Sequence, residues 1–270
     1  MTSPTEPRTP RLYHAASDSA FTALGGFMVL LASMATLLFV GAVATQLGAS
    51  PLVALTLGEL GLVLVPVVAV VRSGRGPGAL GLRRAPPLYV LAAVLLGASA
   101  WYVNLRLITL IELPENKVQW LEQLAKNEAT LGPTLLALAV VPALCEELVF
   151  RGMLVQALAT RLVPVAAVVV SALLFSAYHL SLVQAIPTFT LGLVLGLVAL
   201  RARSVAPTII AHLLNNSIAL LADRLSWVDA HPTAMLIGTS VATAAGVTLA
   251  FVPERPHALP SARARYGDGP

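Results

Sequence analysis

Long apolar stretches, almost free of charge, constrain this chain more than any other feature. The first runs from Phe21 to about Leu47. Others follow at about 52–71 with Glu59 alone, 88–111 with Arg106 alone, 131–161, 163–180, 183–200, 204–222 and 234–252. Each is close to the roughly 20 residues that carry a helix across about 30 Å of hydrocarbon. Lipid supplies no partner for backbone N–H and C=O groups, so a spanning segment must be a helix or part of a closed barrel. The polar alternation of a barrel is absent. The expectation is an all-α polytopic membrane protein, with about eight transmembrane helices in one bundle over residues 21–252 and polar tails at 1–20 and 253–270. Composition agrees: 57% of the 270 residues are hydrophobic and 11% are charged, against about 25% charged in soluble domains. Disordered, collagen-like and disulfide-rich classes are excluded, and one cysteine, Cys145, permits no internal disulfide. The first stretch is also too long for a signal-peptide core of roughly 7–15 residues.

The formal net charge of +4 rests mainly on arginines between the apolar stretches. With a cytoplasmic amino terminus, the inner segments hold Arg8, Arg11, Arg72, Arg75, Arg83, Arg84, Arg161, Arg201, Arg203, Arg255, Arg263 and Arg265. The outer segments hold Lys117, Lys126 and Arg224. Twelve against three puts both termini inside and makes the bilayer, and not nucleic acid, the partner of this charge. The Ala/Arg-rich usage points to a bacterial plasma membrane. Residues 112–130 combine Glu112, Glu115, Glu122 and Glu128 with Val118, Trp120, Leu121 and Leu124. That pattern fits an amphipathic helix on the interface, and an ordinary solvated connector fits as well. Arg72–Pro87, rich in Gly, Pro and Arg, reads as a cytoplasmic loop.

Ionisable groups inside an apolar span are costly, so their positions point to function. They fall in three clusters: Cys145-Glu146-Glu147-Leu148-Val149-Phe150-Arg151, Phe175-Ser176-Ala177-Tyr178-His179, and His212-Leu213-Leu214-Asn215-Asn216. Each lies in a different expected helix. On an α-helix Glu147 and Arg151 share a face and can neutralise one another, while Glu146 points about 100° away and is free for another task. His212 and Asn216 share a face too. If the helix through Glu146 runs unbroken to Arg161, Glu146 lies about 22 Å from its cytoplasmic end, and His179 lies about 24 Å into its own helix. His212 and Asn216 come out shallower, near 12 and 18 Å from Ser204, so convergence requires tilt or an earlier start to that helix.

Glu-Glu-x-x-x-Arg, Phe-x-x-x-His and His-x-x-x-Asn, in this order and in separate apolar helices, resemble the CAAX protease and bacteriocin-processing family of intramembrane endopeptidases. Type II CAAX prenyl endopeptidases are among its members. The resemblance covers roughly residues 78–222 and includes Leu80-Gly81-Leu82-Arg83, similar to a lead-in common in that family. It implies that Glu146 is the catalytic glutamate and that His179 helps to hold or activate the attacking water. It implies that His212 and Asn216 stabilise the oxyanion, and that Glu147 and Arg151 support the helix. The same atoms admit a second mechanism, in which Glu146, His179 and His212 hold a catalytic zinc with an open water position. The implied partner is a membrane-embedded or lipid-anchored polypeptide substrate.

The bland readings are specific. Phe175 and Cys145 read as packing residues, and Tyr178, Asn215 and Glu59 as packing or interhelical hydrogen-bonding groups. Gly97-Ala98-Ser99-Ala100 looks superficially like a rhomboid nucleophile motif but lacks a partner histidine pattern, and no His-Glu-x-x-His is present. The rival of a different class is a non-catalytic membrane immunity or scaffolding protein that keeps a protease fold.

Overall fold

Eight helices occupy the eight apolar stretches in the computed structural model, which describes residues 19–110, 130–225 and 231–252. They are α1 (Ala23–Gln46), α2 (Pro51–Arg72), α3 (Pro87–Ile108), α4 (Leu131–Leu158), α5 (Pro164–Tyr178), α6 (Leu182–Ala202), α7 (Ala206–Leu225) and α8 (Pro232–Phe251). Among the described residues there is no strand, and the all-α polytopic expectation holds. The tail expected over 1–20, all but its last two residues, lies outside the described residues. So do the tail 253–270 and the interfacial helix expected over 112–130, apart from Thr130.

Local sequence sets where the helices begin. Thr22, Ser50 and Ser181 cap α1, α2 and α6, each hydroxyl accepting from the N–H three residues on. Pro51, Pro87, Pro164 and Pro232 open α2, α3, α5 and α8, at a position whose N–H has no helical partner to lose. Six of the described helices, α1, α2, α3, α4, α6 and α8, are long and apolar enough to cross a membrane. The other two fall short. α5 has only 15 residues, about 22 Å of rise, and stops where His179 is followed by Leu180 in the left-handed region at φ 49°. In α7 the apolar part ends at Ala222, and His212, Asn215 and Asn216 interrupt it. Among the described residues, six helices therefore have the length and composition of a full span, with two shorter apolar helices between them.

α4 runs through the middle of the bundle. Its apolar window is 61% buried, against 17% for α1 and 11% for α8. Leu30 of α1, Leu62 of α2, Val149, Phe150 and Met153 of α4 and Phe175 of α5 form the main core. Residues such as Leu24, Phe39, Leu64, Val165, Leu173 and Val241 are exposed, as a lipid-facing surface requires.

Two glycines let the helices close on the site. A Cβ at Gly97 of α3 would overlap the Ala211 carbonyl oxygen of α7, one residue before His212. A Cβ at Gly152 of α4 would overlap the Leu80 carbonyl oxygen, so this glycine seats the short 3-10 turn Pro77–Leu80 against the helix next to Arg151. Ser99 of the Gly97–Ala100 stretch donates to the Leu95 carbonyl at 2.6 Å and lies 2.8 Å from Thr243 Oγ1, tying α3 to α8. At one end of the bundle Arg75 Nη1 donates to Ser19 O (2.7 Å), Ser204 Oγ to Arg83 O (2.7 Å) and the Val205 N–H to Gly81 O (2.9 Å). The segment before α1, the Arg72–Pro87 loop and the α6–α7 turn therefore meet on a single side.

Candidate active site

The first cluster sits on a helix whose winding changes on both sides of it. α4 is π-helical over Leu136–Val140 and Leu148–Leu154, with the α-helical turns Val141–Glu147 between. π segments inside α-helices are rare and concentrate at functional sites. Glu146, Glu147 and Arg151 are all buried, at 4%, 0% and 1% exposure. Charges at such depth persist only when paired and hydrogen-bonded. Arg151 Nη1 donates to Glu147 Oε1 at 2.7 Å, the pairing that the spacing predicts. The Arg151 guanidinium also lies 4.3 Å from the centre of the Phe175 ring.

Glu147 has a second partner. His212 Nδ1 of α7 lies 2.9 Å from the same Oε1. A carboxylate accepts only, so Nδ1 is the donor and carries hydrogen. The opposite nitrogen, His212 Nε2, lies 3.7 Å from Glu146 Oε2. That distance is too long for a direct hydrogen bond and suits one water touching both groups. The two glutamates thus address the two nitrogens of one imidazole, where the α-helical arithmetic has Glu146 turned away from the Glu147 pair. Glu146 Oε2, Arg151 Nη2 and Glu59 Oε2 are buried without a hydrogen-bond partner among the described residues. Buried polar atoms in that condition are places for water or ligand.

The shallower depth expected for His212 does not keep it from Glu147. An earlier helix start is not the reason, because α7 begins at Ala206. α4 instead ends at Leu158, before Arg161, and its π-helical turns are wider than α-helical ones, so the straight-helix distance for Glu146 is too long.

Asn216 is held by a consequence of proline chemistry. Pro142 has no N–H to give the Leu138 carbonyl four residues back. Asn216 Nδ2 donates to that carbonyl at 3.1 Å, and Asn215 Nδ2 donates to Asn216 Oδ1 at 3.1 Å. One amide hydrogen of Asn216 is used in the bond to Leu138, leaving the second for another acceptor.

His179 caps α5. Its Nδ1 lies 2.9 Å from the Phe175 carbonyl, which accepts only, so here too Nδ1 carries the hydrogen and Nε2 is the nitrogen left for chemistry. The Phe175 ring packs edge-on against His179 at 4.9 Å and His212 at 6.1 Å, and against Phe150 at 4.9 Å. Packing is what the sequence suggests for Phe175, but the ring is also the surface shared by both histidines and the arginine. Tyr178 Oη donates to Glu59 Oε1 of α2 at 2.6 Å; interhelical hydrogen bonding is one of the roles expected of each, and the pairing is new with the structure. Cys145 is buried at 3% exposure.

A zinc ion on Glu146, His179 and His212 would need three donors converging at about 2 Å. Among the described residues no group of three or more His, Cys, Asp or Glu side chains is so placed.

Residues 128–218 match the family model described as type II CAAX prenyl endopeptidase Rce1-like. Over these residues, well under half of the chain, the sequence is similar to that family. The match runs from the segment preceding α4 into α7 and contains Glu146, Glu147, Arg151, His179, His212 and Asn216, while Leu80–Arg83, Gly97 and Glu59 lie outside it. At the level of family, the similarity is to CAAX-type membrane proteases. No curated protein and no solved structure matches the chain.

Proposed function

We propose that the Rce1-like core is an intramembrane endopeptidase that hydrolyses peptide bonds in membrane-embedded or lipid-anchored polypeptides, at carboxy-terminal signals of the CAAX type, with Glu146 as the base that activates water. The observation that carries this reading is the meeting of Glu146, Glu147 and His212 from two helices in a buried site, with the Glu146 Oε2 and His212 Nε2 atoms 3.7 Å apart and one oxygen unpartnered.

In the proposed reaction a water held between Glu146 and the imidazoles attacks the scissile carbonyl and gives its proton to Glu146. The second amide hydrogen of Asn216 donates to the oxyanion. Protonated Glu146 then gives its proton to the leaving amine, which restores the carboxylate. Glu147 and Arg151 take no proton. They hold His212 by its Nδ1 and balance charge where water cannot. A positioned base of this kind contributes about 10²–10⁴-fold, and each oxyanion donor about 10²–10³-fold.

The substrate face follows from orientation, which we assign with both termini in the cytoplasm and the protein in a bacterial plasma membrane. The arginine count supports this reading. The direct test is Glu146→Gln, which removes the base and keeps the shape. Turnover is expected to fall by at least 10²-fold while the inserted protein stays at normal abundance. Intact function in Glu146→Gln would leave the core as a scaffolding or immunity protein.

A further inference from the structure

His179 is the least secured member of the site. His212 is fixed by a carboxylate on another helix, whereas the His179 ring hydrogen-bonds to the Phe175 carbonyl of its own helix. The turn that carries it is also strained: α5 ends at Tyr178, and Leu180 takes φ 49° while 85% exposed. A left-handed turn at a leucine needs support from outside the turn.

That support comes from α2. Tyr178 donates to Glu59 at 2.6 Å, and the Tyr178 ring packs edge-on against His179 at 5.1 Å and tilted against Phe150 at 5.5 Å. Glu59 is a carboxylate at 3% exposure in an otherwise uncharged span, a costly placement unless it is used.

We infer that Glu59 and Tyr178 are positioning residues for His179, with α2 forming one wall of the site through their hydrogen bond. This rests on the proteolytic reading only for its activity arm. Tyr178→Phe and Glu59→Leu break the bond, whereas Glu59→Gln keeps an acceptor for the tyrosine hydroxyl and removes the charge. The ¹⁵N-histidine spectrum of the purified, lipid-reconstituted protein reads the His179 tautomer directly. Wild type and Glu59→Gln are expected to show one sharp Nδ1–H form, and Tyr178→Phe, Glu59→Leu and the double variant a broadened or mixed signal. Turnover, scored as appearance of the new termini that wild type generates in host membranes, is expected to fall on the order of tenfold to a hundredfold in those three alike. It is expected to stay within about twofold of wild type in Glu59→Gln. An unchanged His179 signal in Tyr178→Phe would overturn the inference, as would loss of turnover in Glu59→Gln equal to that in Glu59→Leu. If wild type generates no termini, the proteolytic reading fails and the spectra alone decide the positioning role.

Discussion

At the scale of single residues the site is a problem of buried charge, and Arg151 is the point on which it turns. One guanidinium faces a core that holds Glu146, Glu147 and, from α2, Glu59, all at or below 4% exposure. Removing it strands carboxylates in an apolar interior. Arg151→Met is expected to destabilise the fold by about 3–5 kcal/mol, read as a lower unfolding midpoint and lost abundance. Glu146→Gln should do neither. Equal abundance for the two variants would contradict the division between a supporting pair and a reacting carboxylate. The residue types and their spacing were legible in the sequence, because a charge inside an apolar run has few purposes. What spacing alone missed is that Glu147 serves two partners and that both glutamates lie beside His212, since two side chains pointing apart on one helix can still flank an imidazole brought in from another. Asn216 offers a lesson in the other direction. Pro142 stands four residues after Leu138, so a carbonyl in need of a donor could have been read from the sequence, although its donor on α7 could not.

At the scale of elements, placement of the eight apolar stretches followed from the length of lipid-spanning helices, and the chain obeys it at nearly every boundary. The departures are local. α5 is shorter than its neighbours, because a polar group and a left-handed leucine end it, and α4 changes winding on both sides of its glutamates. Neither π segment has a residue signature that periodicity reads. Close approach also depends on missing side chains, which hydropathy does not register. Gly152→Ala would raise the helix propensity of an open helix by about 1 kcal/mol. Here its methyl group meets the Leu80 carbonyl oxygen, and overpacking costs about 1–3 kcal/mol. A lower unfolding midpoint is expected, and a higher one would show that the Pro77–Leu80 turn is not seated as described. Gly97→Val should push α3 from α7 beside His212 and lower turnover more than abundance.

At the scale of the whole molecule, the arginine-bearing loops and the segment just before α1 gather at one end of the bundle, and the proposed cytoplasmic side follows from the charge of those loops. Reporters fused at either terminus are expected to read cytoplasm, and an external reading at one of them would overturn the orientation and with it the face from which substrate is drawn. Metal dependence separates the two mechanisms that the same atoms admit: chelation is expected to leave turnover unchanged, whereas loss restored by zinc would move Glu146, His179 and His212 into a ligand set. The central claim, that Glu146 drives peptide-bond hydrolysis, is tested most directly by comparing peptide termini across the membrane proteome of host cells carrying wild type or Glu146→Gln at matched abundance. New carboxy-terminal ends present only with wild type are the expected result. Identical terminal profiles would contradict it.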